Sequence, residues 1–379
     1  MKLDNVRAEI DALDNEIVSL FLKRMETVGQ VAESKKTSGK AVLDKRRERE
    51  VLARVTEQAG PKMENYVKIL FSMLFDLSRS YQSLLLTEEA PLSGKVRDAL
   101  TQTEPLFPKR AVVACQGIDG AYSQAACDKL FSMPQIIYMN TFDSVFQAVE
   151  KGLCRYGILP IENNTYGSVT PVYDLMKEHD FYIVKSVKIK IDHCVLAKRG
   201  VKLADVREIF SHEQAIGQCS GFLQKLKNVK VTIVENTAVA AKHVADSDRN
   251  DVAAISSFEC AELYGLFVVD DTVQNSENNY TRFICISKKM EIYPGSDKIS
   301  VMLSLPHRPG ALFELLSKFA AIDLNLTKLE SRPIPGRDFE FRFYFDFQSS
   351  VLAEHVLRLF DELSLQTNQF VFLGNYSEK

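Results

Sequence analysis

The chain has 379 residues, more than one hydrophobic core serves at about 100 to 200 residues per domain, so two to four domains are expected. Its 47 Lys and Arg nearly balance 50 Asp and Glu, and the net charge of −3 with no long block of like charge argues against nucleic acid or a membrane surface as partner. Seven cysteines form no CxxC pair, six histidines form no HExxH or other close ligand spacing, and no apolar run is long enough to span a bilayer. The expectation is a cytoplasmic protein with reduced thiols, no metal and no cofactor, acting on small molecules.

The first ninety residues read as helix. Leu3, Val6, Ile10, Leu13, Ile17 and Leu20 recur at spacings of three and four, the stripe of a helix packed along its length. One helix from about Asp4 to Lys36 is roughly 50 Å long, too long for a compact monomer to cover, so the stripe implies a dimer. Two further helices, about Leu43 to Gln58 and Lys62 to Leu86, are separated by Gly60-Pro61.

Polar residues interrupt these faces. Arg24, Val28, Val31 and Lys35 lie within roughly 40° of one another at about 100° per residue. Asp44, Arg47 and Glu48 fall at i, i+3 and i+4, and Ser78 and Gln82 are one turn apart. Each has a plain reading as a solvated face; together they line a polar pocket that only an anion makes tolerable. Over residues 1 to 86 the chain resembles the all-helical chorismate mutases, which are active as dimers. The resemblance implies that Arg7, from the other subunit, and Arg24 hold two carboxylates. Lys35 and Gln82 then donate to the ether oxygen, Glu48 meets the ring hydroxyl, and Asp44, Arg47 and Ser78 complete the wall. Chorismate to prephenate is a pericyclic step, so the protein acts by orientation and by stabilising charge on the breaking ether.

Residues 91–109, with Pro91, Gly94, Pro105 and Pro108, form a linker with a short helix near Val96 to Leu100. From Ala111 short apolar runs alternate with polar turns and helical patterns, as in an α/β fold. Strands at Ala111–Ala114, Gly157–Pro160, Glu208–Phe210 and Val231–Val234 each hand over to a helix whose expected cap is Ser, Thr or Asn. Helix N-termini gathered at strand ends make an anion site, and a small carboxylate is the expected ligand. GxGxxG is absent from the chain, which argues against a dinucleotide.

Gly120-Ala121-Tyr122-Ser123, Pro160-Ile161-Glu162-Asn163-Asn164 with Gly167, Ser211-His212 with Gln214 and Gln218, Asn236-Thr237-Ala238, and Thr281-Arg282-Phe283 are similar to the motifs of prephenate dehydratase. That resemblance runs from about residue 110 to 288. It implies two α/β lobes like the periplasmic binding proteins with the site in the cleft between them. Two departures are Asn164, where the family usually has Ser or Thr, and Gln116-Gly117-Ile118 in place of Gly-Pro. Prephenate loses water and carbon dioxide to become aromatic phenylpyruvate. Thr281 is the expected donor or proton relay for the departing hydroxyl. Arg282 either binds a substrate carboxylate or orders the Thr281 strand. Asn163, Ser211 and Thr237 orient the rest and Glu162 tunes them, with Ser123, Asn164, His212, Gln214 and Phe283 also at the substrate.

The last eighty residues read as βαββαβ, a ferredoxin-like order, with strands at Lys298–Leu305, Leu324–Ser331, Phe339–Phe347 and Phe370–Tyr376. The segment resembles an ACT regulatory domain, in which Gly310-Ala311-Leu312 and Glu330-Ser331-Arg332-Pro333 match phenylalanine-binding motifs. Pro309-Gly310 also has a plain reading as a helix start, and Phe313 is bulkier than the Val of some relatives. The resemblances together imply an all-α mutase domain (1–90), a two-lobed dehydratase domain (110–290) and an α+β regulatory domain (298–379). The implied protein is a homodimeric or larger enzyme converting chorismate through prephenate toward phenylalanine, with L-phenylalanine as effector. The rival reading is a non-catalytic carboxylate or amino-acid sensor with a helical dimerisation arm.

Overall fold

The computed structural model describes residues 3–39, 42–86, 91–334, 340–366 and 369–379. The chain forms two compact units, Met1–Lys95 with Leu303–Leu324 and Leu352–Val371, and Val96–Met302 with Asn325–Val351 and Phe372–Lys379.

The first unit opens with α1 (Leu3–Ser38), 36 residues and about 54 Å long. Leu3, Ile10, Leu13, Ile17 and Leu20 of the expected stripe are exposed, and Ala32 is its buried position. Next comes α2 (Lys45–Leu86), interrupted at Gly60 (φ 69°, ψ 171°) ahead of Pro61. Glycine tolerates that left-handed φ and proline cannot continue the hydrogen-bond ladder, so the two expected helices are both present and separated at this break. The chain turns back at the break, since Arg79 beyond it pairs with Glu48 before it. The segment expected as a linker is helical over α3 (Pro91–Gln102); Thr87 to Ala90 lie outside the described residues.

In the second unit, the first lobe runs β1 (Arg110–Gln116), α4 (Tyr122–Leu130), β2 (Met133–Met139), α5 (Phe142–Glu150), β3 (Tyr156–Asn163), β4 (Gly167–Ser168), α6 (Thr170–Leu175) and β5 (Tyr182–Lys190). The second runs β6 (Cys194–Ala197), β7 (Glu208–Ser211), α7 (Glu213–Gln218), α8 (Ser220–Leu223), β8 (Lys230–Ile233), α9 (Thr237–Asp246), β9 (Val252–Ser256), α10 (Glu259–Tyr264) and β10 (Phe267–Asp270). Then β11 (Tyr280–Ser287) returns to the first lobe. The sheets are ordered β2-β1-β3-β11-β5 and β10-β6-β9-β7-β8. Because β11 runs antiparallel to β3, its first residues lie at the carboxyl end of β3, where Thr281 faces Asn163. The chain thus crosses twice between lobes, at 191–193 and 271–279.

The expected helix caps are only partly present. Asn236 caps α9, accepting from the Val239 amide at 2.8 Å, but α4 and α6 start at Ala121 and Val169 without a side-chain cap, and His212 caps α7. The segment after β7 forms two short helices, α7 and α8, divided at Cys219.

The C-terminal segment is β12 (Lys298–Ser304), α11 (Ala311–Ala321), β13 (Asn325–Pro333), β14 (Phe341–Gln348), α12 (Glu354–Gln366) and β15 (Val371–Tyr376); Phe339 of the expected third strand lies outside the described residues. Its sheet order, β13-β14-β12-β15, is ferredoxin-like. Met302, Tyr344, Leu373 and Tyr376 of this sheet share a core with Leu159, Ile161, Tyr173 and Ile284 of the first lobe. The opposite face of the first-lobe sheet buries Val113, Ile158, Phe283 and Cys285.

Candidate active sites

In the helical segment, the half-buried Arg24 guanidinium donates to Ser78 Oγ at 2.5 Å and to the Leu74 carbonyl at 3.2 Å. Burial pushes its pKa below the usual value. Gln82 Nε2 donates to the Ser78 carbonyl at 3.1 Å, while Gln82 Oε1 is buried with no partner among the described residues. Arg24, Ser78 and Gln82 therefore form one cluster. Lys35 Nζ donates to the Val42 carbonyl at 2.6 Å, just ahead of α2. Glu48 is bound by Arg79, whose other terminal nitrogen holds Asp76; the motif reading did not include Arg79. Asp44 and Arg47 stand apart from this cluster. Asp44 Oδ1 accepts from the Arg47 amide at 2.9 Å as the cap of α2, and the Arg47 side chain is exposed near Glu50. Arg7 is exposed, 3.9 Å from Asp4. It sits seventeen residues and so about 25 Å along α1 from Arg24, out of reach within one chain.

In the second unit the central group is Asn163. Its Oδ1 accepts from the backbone amides of Thr165 and Tyr166, both at 2.9 Å, which fixes the orientation of the carboxamide. Its Nδ2 then donates to Asn279 Oδ1 at 2.7 Å and to Thr281 Oγ1 at 3.0 Å. Thr281 Oγ1 is thus an acceptor toward Asn163, and its own proton is free to point elsewhere. Asn279 is 2% exposed. It lies two residues ahead of Thr281, outside the motifs named above.

A β-bulge decides what lies next to this pair. Arg282 faces Glu162 and Phe283 faces Pro160, so Ile161 is the extra residue. The bulge turns Asn163 to the Thr281 face and Glu162 to the Arg282 face. Arg282, expected either at a substrate carboxylate or ordering its strand, takes the second arrangement. It is 5% exposed, with Nε 2.5 Å from Glu162 and Nη2 2.5 Å from Asp346. Burial pushes the Glu162 carboxyl up, but Arg282 and Lys328 together hold it below its usual pKa. Phe283, expected at the substrate, is instead in the core beneath α4, because its side chain follows Thr281 by two residues into the buried part of the sheet.

The other loops gather around the same edge. Asn164 Oδ1 accepts from the Tyr280 amide and its Nδ2 donates to the Asn278 carbonyl, both at 2.9 Å, tying this turn to the start of β11. Tyr166 reaches across to α7, where a Cβ at Gly217 would overlap its hydroxyl. His212 Nδ1 accepts from the Gln214 amide at 3.3 Å, burial lowers the His212 pKa, and Gln214 is exposed. Gln218 bonds the buried His193 at 2.6 Å, and burial likewise holds His193 below its usual pKa. No motif reading singled out His193. Ser211 Oγ donates to the Ile255 carbonyl at 2.8 Å, and Ser256 Oγ to the Thr237 carbonyl at 2.8 Å, which joins those strand ends. Asn236, beside Thr237, lies against Gly117. Ser123 Oγ donates to the Gln116 carbonyl, so it and Ser211 meet any ligand with acceptor oxygens only.

A cavity of about 510 Å³ opens where Asp119–Gln124 faces Ile189–Asp192 and Ser257–Leu263. Its lining sets Asp119, Asp128, Asp192, Glu259 and Glu262 against one cation, Lys190, a net negative charge that disfavours an anion.

Of the effector-motif residues, Gly310 (φ 85°) begins α11, with Ala311 buried and Leu312 half-buried. The left-handed φ explains glycine there. On β13, Glu330 accepts from Ser168 Oγ at 2.6 Å and Arg332 grips Asp174 with two bonds of 3.1 Å. Ser331 and Pro333 alternate to the other face.

Two family profiles match the chain, Chorismate mutase type II over residues 6–83 and Prephenate dehydratase over residues 113–291. The bifunctional chorismate mutase/prephenate dehydratase of Escherichia coli (strain K12) is 30% identical over 381 residues, covering 98% of this chain and 95% of its own. Arogenate dehydratase/prephenate dehydratase 2, chloroplastic, of Arabidopsis thaliana is 38% identical over 293 residues, 73% of this chain and 76% of its own. Among solved structures, a prephenate dehydratase of Arthrobacter aurescens in complex with L-Phe matches with TM-score 0.64 at 26% identity, over 70% of this chain and 89% of its own. GqqA, a quorum quenching acylase, matches with TM-score 0.63 at 29% identity, over 71% of this chain and 98% of its own.

Proposed function

The chain belongs to the bifunctional chorismate mutase/prephenate dehydratase family, and from that premise we propose how its residues divide the work. It rearranges chorismate to prephenate and then removes carbon dioxide and water from prephenate to give phenylpyruvate, in phenylalanine biosynthesis with feedback by phenylalanine. The sensor reading is not favoured, because similarity to a bifunctional enzyme extends over 98% of the chain.

We assign the mutase to residues 1–90, the dehydratase to 110–290 and an ACT regulatory domain to 298–379. The ferredoxin-like strand order of the last segment supports the third assignment. In the mutase, Arg24 binds a carboxylate, Lys35 and Gln82 donate to the ether oxygen, and Glu48 meets the ring hydroxyl. Ser78 positions Arg24. Arg7 serves the pocket of a second copy, so the active form is at least a dimer; the exposed stripe on α1 supports this. The cytoplasm is the assigned compartment, supported by seven buried free cysteines; among the described residues no helix is long and apolar enough to cross a membrane.

In the dehydratase, Thr281 donates to the departing hydroxyl of prephenate. The observation that carries this is the saturated Asn163 amide, which occupies Thr281 Oγ1 as an acceptor and leaves its proton for the substrate. Loss of the carboxylate supplies the electrons that complete the ring as the carbon–oxygen bond breaks, and the hydroxyl leaves as water with a proton that Thr281 relays from solvent.

Chorismate incubated with the full chain, with and without phenylalanine, tests the reading when prephenate and phenylpyruvate are resolved over time. Phenylpyruvate whose formation phenylalanine suppresses is the expected result. Prephenate accumulating alone would make the two-lobed domain a binding module, and chorismate decaying at its uncatalysed rate would restore the sensor. Thr281→Val is expected to lower dehydratase turnover about a hundredfold or more and to leave mutase turnover unchanged; full dehydratase turnover in that variant would remove Thr281 from the mechanism.

A further inference from the structure

β3 and β11 each carry a reaction-side residue and, next to it in sequence, a charged residue on the opposite face. On β3 these are Asn163 and Glu162; on β11 they are Thr281 and Arg282. Both charged residues are held by the C-terminal sheet. Arg282 spans Glu162 and Asp346 of β14, each at 2.5 Å, and Lys328 of β13 donates to the other Glu162 oxygen. Asp346 is fixed in turn by Ser300 of β12 at 2.6 Å. The four charges cancel in a site where Arg282 is 5% exposed. Moving one member away would strand an uncompensated buried charge, which is costly. The cluster therefore moves as a body or not at all.

β13 also carries the Glu330–Pro333 motif. Its alternation sends Lys328, Glu330 and Arg332 to the dehydratase lobe, and Leu329, Ser331 and Pro333 to the other side. A ligand acting on that other side would displace Lys328 along with its strand.

We propose that Glu162 and Arg282 are positioning residues, and that the cluster they form with Lys328 and Asp346 transmits the position of the β13–β14 sheet to the Asn163–Thr281 pair. The mechanism is leverage within single strands. A shift of the Glu162–Arg282 pair alters the register of β3 against β11 at the bulge. The Asn163 Nδ2 to Thr281 Oγ1 bond is the next contact along that ladder, and losing it frees Thr281 to rotate its proton away from the substrate. The inference rests on the assignment of the dehydratase site to Thr281 and Asn163 and of the C-terminal sheet to effector binding.

The test uses the full chain with prephenate as substrate and L-phenylalanine as probe. Lys328→Met, which leaves Glu162 to Arg282 alone, is expected to lower uninhibited turnover less than Arg282→Lys does and to keep calorimetric phenylalanine binding within about threefold, while half-inhibition of its own uninhibited rate needs about tenfold more phenylalanine or is never reached. Arg282→Lys, which holds one carboxylate in place of two, is expected to lower dehydratase kcat about tenfold or more with KM within about threefold. A rise in KM at constant kcat would make Arg282 a substrate ligand and overturn its positioning role. Should Arg282→Lys fail to fold, Lys328→Met decides alone: inhibition identical to the parent chain's overturns the coupling. A parent chain that forms no phenylpyruvate, or forms it without inhibition, overturns the underlying functional reading and this inference with it.

Discussion

Asn163 is the residue on which the proposed dehydratase site turns, because all four hydrogen-bonding positions of its amide are engaged. A saturated amide has one orientation, so the group it holds, Thr281 Oγ1, has a defined role as acceptor from one side and donor to the other. In the helical segment Arg79 plays the comparable part, binding Glu48 and Asp76 from one guanidinium. Removing it leaves Glu48 without its fixed partner. Arg79→Met is accordingly expected to lower mutase kcat/KM about tenfold and to leave dehydratase kinetics alone, as measured by chorismate loss and phenylpyruvate formation on one preparation. Unchanged mutase kinetics would show that Glu48 needs no such support. Glu48 was legible from its helical spacing, but Arg79 was not, since its link to Glu48 depends on the reversal at Gly60.

At the scale of elements, α7 and the turn after β3 constrain one another. Gly217 leaves room for the Tyr166 hydroxyl, and Tyr166 belongs to the turn whose amides orient Asn163. Gly217→Ala is expected to push Tyr166 away and lower dehydratase turnover about tenfold, with mutase turnover as the internal control. Adding Tyr166→Phe removes the overlapping oxygen, so the double variant should recover; equal damage in the single and double variants would mean that Gly217 acts through α7 itself. The motif Ser211-His212 with Gln214 and Gln218 pointed to this helix, yet the requirement at Gly217 is invisible in sequence, because it comes from a side chain on the other lobe. The expected caps fared unevenly for a related reason. α4 and α6 start where strand ends and tertiary packing place them, and not where a Ser or Asn is available.

At the scale of the molecule, α1 leaves a helix of about 54 Å with its apolar stripe exposed through Leu20. An arginine assigned to the mutase pocket, Arg7, lies about 25 Å along it from Arg24. The dimer proposed above would account for both facts, with a second copy covering the stripe and supplying Arg7. Ile10→Lys with Ile17→Lys is therefore expected to give a smaller species in sedimentation, with mutase turnover lost and dehydratase turnover kept. A dissociated variant with full mutase activity would sink the shared-pocket assignment.

The helical segment, the α/β segment and the βαββαβ order were all legible along the chain. These are written in local signals: spacings of three and four along α1, apolar runs closed by Gly, Asn and Ser, and contiguous motifs. Thr281 and Arg282 stand side by side in one of those motifs. Which of the two faces Asn163 was decided by tertiary structure. Alternation along a strand says only that neighbours point opposite ways, and the side each takes depends on pairing with Asn163, 118 residues distant, and on the bulge at Ile161. The same holds for Phe283, Arg79 and Gly217, whose roles follow from partners that the folded chain brings together.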